Sequence, residues 1–200
     1  YLIEDDYDSE FRYRGKPIPS LQSSDKRGKV IYIGTFSKAI APAIRVSYMV
    51  LPESLLEVYR RDCSFYSCTV SRIDQRILNE FIRDGYFERH INRMRTYYRN
   101  KRDHLLQYLA HCPAAKALQV EGENSGLHFL LHLTTEASDS QLREVALKAG
   151  LQIKFLSDYY HNRLSDNSHT MLMNYTGIED ARLYPALDKL FEALLPYLML

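Results

Sequence analysis

An excess of charge of either sign is missing from this chain: lysine and arginine number 26, aspartate and glutamate 25, leaving a net charge of +1. Such a balance raises no long-range field toward a polyanion or an anionic membrane, so direct DNA binding by this stretch is not expected. Cysteine is scarce and odd in number. Cys63, Cys68 and Cys112 form no paired metal-ligand pattern, and neither a second pair nor a nearby histidine completes a zinc site at Cys63 and Cys68. Idle thiols of this kind suit a reducing cytoplasm. Long apolar runs are also lacking: nothing approaches the ~20 uninterrupted apolar residues of a membrane span, and no signal sequence precedes the first apolar run. Repeats and low-complexity segments are absent. There is no initiator methionine and the chain opens in what reads as mid-strand, so a longer parent protein is expected, cytoplasmic and without a membrane segment.

What is present is 200 residues, 46% of them apolar, ample for a packed core in one or two domains. The most informative stretch is Val30-Ile-Tyr-Ile-Gly-Thr-Phe-Ser-Lys-Ala-Ile-Ala-Pro-Ala-Ile-Arg45. An apolar strand ends there in a small polar turn that presents one lysine, Lys38. Thr35 and Ser37 supply hydroxyls and Arg45 a guanidinium, a set able to hold a phosphate beside an amine that attacks a carbonyl. The opening run Tyr1-Leu-Ile-Glu-Asp-Asp-Tyr7 ends in acids and a phenol, as expected where a buried parallel strand reaches its carboxyl end, the place where ligands bind in open α/β sheets. Asp5 and Tyr7 alternate with Asp6 and so share a strand face. A carboxylate to keep a pyridine nitrogen protonated, a phenol for a ring oxygen, a lysine amine and a phosphate grip are together what pyridoxal 5'-phosphate requires.

Along the chain, Leu2–Asp5, Val30–Gly34 and Val46–Leu51 read as strands, the first of them buried and parallel. Helices are predicted from Pro52-Glu53 to about Arg61 and from a Thr69-Val-Ser71 cap to about Arg83, where Gly85 stops it; both should pack on the sheet. A long amphipathic helix runs from Tyr86 to about His111, with Phe87, Ile91, Met94, Tyr98, Leu105, Leu106 and Leu109 near one face. Arg89, Arg93, Arg95, Arg99, Lys101 and Arg102 read as its solvated side rather than as a nucleic-acid surface. Ala117–Glu121 and Leu127–Leu133 read as antiparallel strands, Ser138–Ala149 as a helix stopped by Gly150, and Leu151–Phe155 as a strand. Asp158–Ser168 reads as a loop, Thr170–Tyr175 as the last strand, and Glu179 to about Leu198 as a closing helix with Leu183, Leu187, Leu190 and Leu194 as its core stripe. Pro185 and Pro196 are expected to kink or shorten that helix. His128 and His132 share a strand face; a metal site there would need further ligands from elsewhere.

Glu4-Asp-Asp-Tyr-Asp-Ser-Glu-Phe-Arg-Tyr13, Pro17-Ile-Pro-Ser-Leu-Gln22, Ile31-Tyr-Ile-Gly-Thr-Phe-Ser-Lys38, Ala41-Pro-Ala-Ile-Arg45, Val70-Ser-Arg-Ile-Asp-Gln75, Gly85-Tyr-Phe-Glu-Arg-His-Ile91 and Gly126-Leu-His128 resemble the aminotransferase-like domain of GntR-type, MocR-like bacterial regulators. That resemblance implies an α/β fold, the C-terminal part of a fold-type I pyridoxal-phosphate-dependent transferase. Residues 1–85 would close the large cofactor domain, 86–111 form the connecting helix, and 112–200 the small α+β domain. It implies that Lys38 is the internal-aldimine lysine, Asp5 the pyridinium partner, Tyr7 the donor to the ring oxygen, and Arg45 with Thr35 or Ser37 the phosphate ligands. It further implies that His128 lies toward the substrate side, that the protein is a homodimer, and that an amine effector or substrate is its small-molecule partner. DNA would be read only by a winged helix-turn-helix domain that precedes this stretch, as would the ring-stacking residue and a phosphate-binding helix terminus.

One departure bears on activity. In Met171-Leu-Met-Asn-Tyr175, Leu172 falls where catalytic relatives carry an arginine for the substrate α-carboxylate. Losing a bidentate contact of that kind costs on the order of 1.5–3 kcal/mol in binding. The resemblance therefore favours an effector-sensing domain; the alternative is a working aminotransferase acting on an amino acid, and a third reading is a folding or dimerisation module with a vestigial site.

Overall fold

The computed structural model describes residues 1–16, 18–161 and 166–200. The chain divides into two compact units, Tyr1–Thr96 and Tyr97–Leu200, and the division falls inside the longest helix.

In the first unit, β1 (Leu2–Asp6), β2 (Val30–Thr35) and β3 (Ser47–Val50) form a sheet in that order. β1 runs parallel to β2, with Asp5 level with Ile33 and Asp6 level with Gly34. β3 is antiparallel to β2. The expectation of a buried first strand is corrected: Leu2 and Ile3 are 60% and 68% exposed, because β1 is an edge strand of this sheet and only its β2 side is paired. Between β1 and β2 lies the one-turn helix α1 (Leu21–Ser24), capped by Ser20 and by the Glu4 carboxylate, which accepts from the Leu21 and Gln22 amides at 2.8 and 3.0 Å. After β2 comes a second one-turn helix, α2 (Phe36–Ala39), then a 3-10 turn over Pro42–Ile44.

α3 (Glu53–Asp62) and α4 (Arg72–Arg83) follow, and neither buries any residue. They are therefore not core helices of the sheet as expected. The apolar side of α4, with Ile77, Leu78 and Phe81, instead faces Ile40, Ala43 and Ile44 across a cleft of about 360 Å³. α4 thus flanks the segment that leads from Lys38 to Arg45.

α5 spans Tyr86–His111. In the first unit its Ile91 is buried. In the second unit its Leu105 and Leu109 enter a core with Phe129, Leu131, Phe155, Met171 and Phe191. The solvated-face reading fails at two of its basic residues. Lys101 and Arg102 are 4% and 3% exposed: the Lys101 amine donates to the Ile178 carbonyl and pairs with Asp180 at 3.0 Å, while Arg102 pairs with Asp103 and donates to the Glu123 carbonyl at 3.1 Å. A buried cation that finds a carboxylate and a carbonyl avoids the full desolvation penalty.

The second unit is a sheet of β4 (Leu118–Glu121), β5 (His128–Leu133) and β6 (Thr170–Asn174), antiparallel throughout. It packs with α6 (Asp139–Lys148) and α7 (Asp180–Leu194), whose Leu183, Leu187, Leu190 and Leu194 are all buried. α7 carries Pro185 inside it and gives way at Leu195–Tyr197 to a 3-10 turn containing Pro196. The predicted strand Leu151–Phe155 does not form. Only Phe155 bridges to Met171, with one further bond from the Leu172 amide to the Lys154 carbonyl; Phe155 turns fully into the core and no ladder develops along the rest. The predicted loop over 158–168 is entered through a 3-10 turn, Leu156–Tyr159, and its residues 162–165 lie outside the described residues.

Candidate functional site

The parallel pairing of β1 and β2 sets the carboxyl ends of both strands side by side, and each predicted site residue of the first unit follows from one of those ends. Asp5 is exposed at the end of β1, and its carboxylate accepts no hydrogen bond from the described residues. Asp6, on the opposite strand face, is fully committed: it accepts from the Ser9 hydroxyl and the Tyr32 phenol at 2.8 Å each and from the Ser9 amide at 3.3 Å. The alternation that sets Asp5 and Tyr7 apart from Asp6 thus separates a carboxylate open to a ligand from one that braces the turn. Burial raises the Tyr7 phenol pKa, with the Asp8 and Asp5 charges adding to the shift. Its proton is kept well above neutral pH, as a donor requires.

Lys38 sits in the last turn of α2, exposed, with neither ion pair nor hydrogen bond among the described residues. α2 is anchored ahead of it by Phe36, whose ring lies 5.9 Å from Phe87 edge-on and 5.2 Å from Tyr48. The Tyr48 ring crosses directly over Gly34: a Cβ there would meet Tyr48 Cζ at 2.4 Å. Thr35 is the N-cap of α2, its hydroxyl accepting from the Ser37 amide at 3.2 Å and donating to the Val46 carbonyl at 3.3 Å. Its single proton is therefore in use, whereas the Ser37 hydroxyl makes no hydrogen bond with the described residues and is the readier phosphate donor of the two. Arg45 is exposed and held in the left-handed region, φ 50° and ψ 35°, at the end of the 3-10 turn. A non-glycine residue pays about 1–2 kcal/mol for that conformation, and strain of this kind gathers where a side chain must be aimed.

In the second unit, Leu172 lies opposite Leu130 in the β5–β6 register, on the half-exposed face that also carries His128 and His132. His132 is engaged by Glu121 at 2.6 Å through Nε2 and by Thr170 at 3.0 Å through Nδ1, a local pair. Among the described residues no group of three or more His, Cys, Asp or Glu is arranged to hold a metal ion.

Sequence reasoning missed the bracing of Asp6 by Tyr32 and the seating of Tyr48 over Gly34. Glycine inside a strand, a mark of close approach, was the available signal for the second. It also missed the half-buried Arg95, whose Nε donates to the Glu10 carbonyl at 2.9 Å.

The donor types fit pyridoxal phosphate: an unengaged carboxylate at the end of β1, a protonated phenol in the bend that follows it, an unpaired lysine on the adjoining strand's exit, and a hydroxyl and a guanidinium on the segment from Ser37 to Arg45. The family model for aminotransferase class I and II matches residues 7–161. The chain is 40% identical over 193 residues to the HTH-type transcriptional regulator YdeL of Bacillus subtilis, covering 96% of this chain and 41% of that protein. It is 32% identical over 196 residues to a regulatory protein of Rhizobium meliloti named MocR, for rhizopine catabolism, covering 98% and 39%. It therefore spans about two fifths of the length of these curated relatives. Among solved structures, a Pyrococcus horikoshii kynurenine aminotransferase superposes with a TM-score of 0.83 at 26% identity, covering 97% of this chain and 47% of that one. The relatives include HTH-type transcriptional regulators and MocR, and the cofactor the family implies is pyridoxal phosphate. With the family model matched over residues 7–161, the chain belongs to the aminotransferase class I and II family.

Proposed function

We propose that this chain is the effector-sensing, pyridoxal-phosphate-binding region of a GntR/MocR-type transcriptional regulator, with Lys38 as the covalent anchor of the cofactor. The observation that carries the reading is the side-by-side termination of β1 and β2, which leaves Asp5, Tyr7 and Lys38 all uncommitted at neighbouring strand exits. Bound there, the cofactor supplies an electrophilic carbon for amines, activated by its pyridinium ring. The chain's own residues do the rest. Lys38 offers its Nζ to that carbon and can be displaced by an incoming amine. Asp5 holds a proton at the ring nitrogen. Tyr7 would donate to the ring oxygen, and Ser37 and Arg45 would grip the phosphate, the Thr35 hydroxyl joining them only by giving up the Val46 carbonyl.

In the sensing reading, exchange of Lys38 for an amine effector changes what the site's residues hold and biases the arrangement of the parent protein, which reads DNA through a helix-turn-helix domain outside this stretch. The same resemblance supports a homodimer. A second reading, a catalytic aminotransferase, draws on 26% identity over 197 residues to an aromatic-amino-acid aminotransferase of Thermococcus litoralis. Leu172 weighs against it, since a leucine offers a carboxylate no donor. The full-length protein loaded with pyridoxal phosphate separates the two. Amines that shift the cofactor spectrum and alter DNA affinity without steady turnover support sensing; sustained conversion of an amino donor and a keto acid, abolished in Lys38→Ala, supports catalysis.

A further inference from the structure

Tyr7, unlike Asp5 on β1 and Lys38 on α2, lies outside regular structure, in the bend just after β1. On its own such a turn would leave a phenol free to wander. It is held at both ends. On the β1 side Asp6 is tied to β2 through the Tyr32 phenol at 2.8 Å and closes over Ser9. On the far side the Phe11 amide donates to the Asp8 carbonyl at 3.0 Å, and the Phe11 ring is fully buried. A further tie comes from a helix 85 residues away: Arg95 of α5 donates from Nε to the Glu10 carbonyl at 2.9 Å. Its guanidinium is in turn aimed by Nη1 donating to Asn92 Oδ1 at 3.1 Å. Arg95 is half-buried while its helix neighbours Arg89, Arg93 and Arg99 are exposed. It spends its donors on a backbone carbonyl and a side-chain amide of its own unit, a use that solubility does not call for.

We infer that Arg95 is a positioning residue for the cofactor ring contacts, fixing the Tyr7–Glu10 turn through the Glu10 carbonyl. The inference rests on the proposed cofactor site for its consequence but not for its mechanics. A guanidinium delivers two directed bonds in one plane, to Glu10 and to Asn92, and a shorter or single-headed cation cannot reproduce both. Fixing the turn reduces the orientational freedom the phenol must otherwise lose when the ring binds, which is how a supporting contact raises affinity without touching the ligand.

The test uses full-length protein and two variants, Arg95→Met and the milder Asn92→Ala, which removes only the aim of the guanidinium and keeps the proposal testable if the first fails to fold. Hydrogen exchange on the cofactor-free protein reads the turn directly. The expected result is at least about tenfold faster amide exchange over residues 7–11 in Arg95→Met, a smaller increase in Asn92→Ala, and unchanged protection in β5 and β6. An absorbance titration with pyridoxal phosphate then reads the consequence: a Kd raised about tenfold in Arg95→Met, with no further loss when Tyr7→Phe is added, because both changes remove the same contact. Unchanged exchange over residues 7–11 overturns the inference. So does a loss of affinity fully additive with that of Tyr7→Phe. If wild-type protein gives no cofactor band, the site reading fails while the exchange result still decides whether Arg95 holds the turn.

Discussion

Arg45 offers a substitution whose effects on stability and on ligand affinity should run in opposite directions. Its backbone sits at φ 50° and ψ 35°, a conformation that costs an arginine or an alanine about 1–2 kcal/mol and a glycine little. Arg45→Gly removes that penalty but gives the unfolded chain back about 0.4–1 kcal/mol of freedom, so the folded state should be level with the parent or more stable by up to about 1.6 kcal/mol. Arg45→Ala keeps the penalty and should melt no higher than Arg45→Gly, lower by about 2–4 °C for each kcal/mol of net strain relieved in a chain of this size. Both variants lose the guanidinium. A charge-assisted bond to a phosphate is worth about 1.5–3 kcal/mol, which predicts a Kd for pyridoxal phosphate raised by roughly 10- to 150-fold in each. Calorimetry of the cofactor-free protein and an absorbance titration measure the two quantities separately. Arg45→Gly melting below Arg45→Ala would refute the strain argument, and wild-type affinity in either would refute the phosphate role.

Other substitutions probe the supports. Gly34→Ala places a Cβ where Tyr48 Cζ lies at 2.4 Å, so it should destabilise by about 1–3 kcal/mol in urea melts, and much of that loss should vanish in a Tyr48→Ala background. Lys101→Met leaves the Ile178 carbonyl and Asp180 without their cation and should cost about 1–3 kcal/mol, read as a lower urea midpoint at unchanged slope. Burial raises the Glu10 carboxyl pKa above its ordinary 4.5. A raised folded-state value means its contribution is complete below that ordinary value and is lost as pH rises through the folded one. Glu10→Gln should therefore raise the melting temperature at pH 7 and leave it unchanged near pH 4.

The elements that carry a strong local signal were legible. β2 is a β-branched run, α6 has Ser138 at its N-cap with the serine side chain accepting from Gln141, and α7 carries a leucine stripe that is buried throughout. Each is fixed by neighbours in sequence. The misjudged parts depend on partners distant in sequence. Leu151–Phe155 alternates as a strand does, but a ladder needs a partner in register along its length, and only Phe155 finds one. Lys101 and Arg102 look like solvated cations until Ile178, Asp180 and Glu123 close over them. At the site, alternation alone distinguished Asp5 from Asp6, and the strand exit marked Lys38. The bond from the Thr35 hydroxyl to the Val46 carbonyl, and the reach of Arg95 to Glu10 across 85 residues, are tertiary facts with no local trace.

Covalent mapping of the cofactor tests the central claim most directly. Full-length protein is incubated with pyridoxal phosphate, reduced with borohydride and digested, and the labelled peptide is sequenced. The account predicts a visible absorbance band before reduction and a single modified lysine, Lys38, with both lost in Lys38→Ala while the melting curve of the cofactor-free protein stays unchanged. Label on another lysine, or a band that persists in Lys38→Ala, would contradict it.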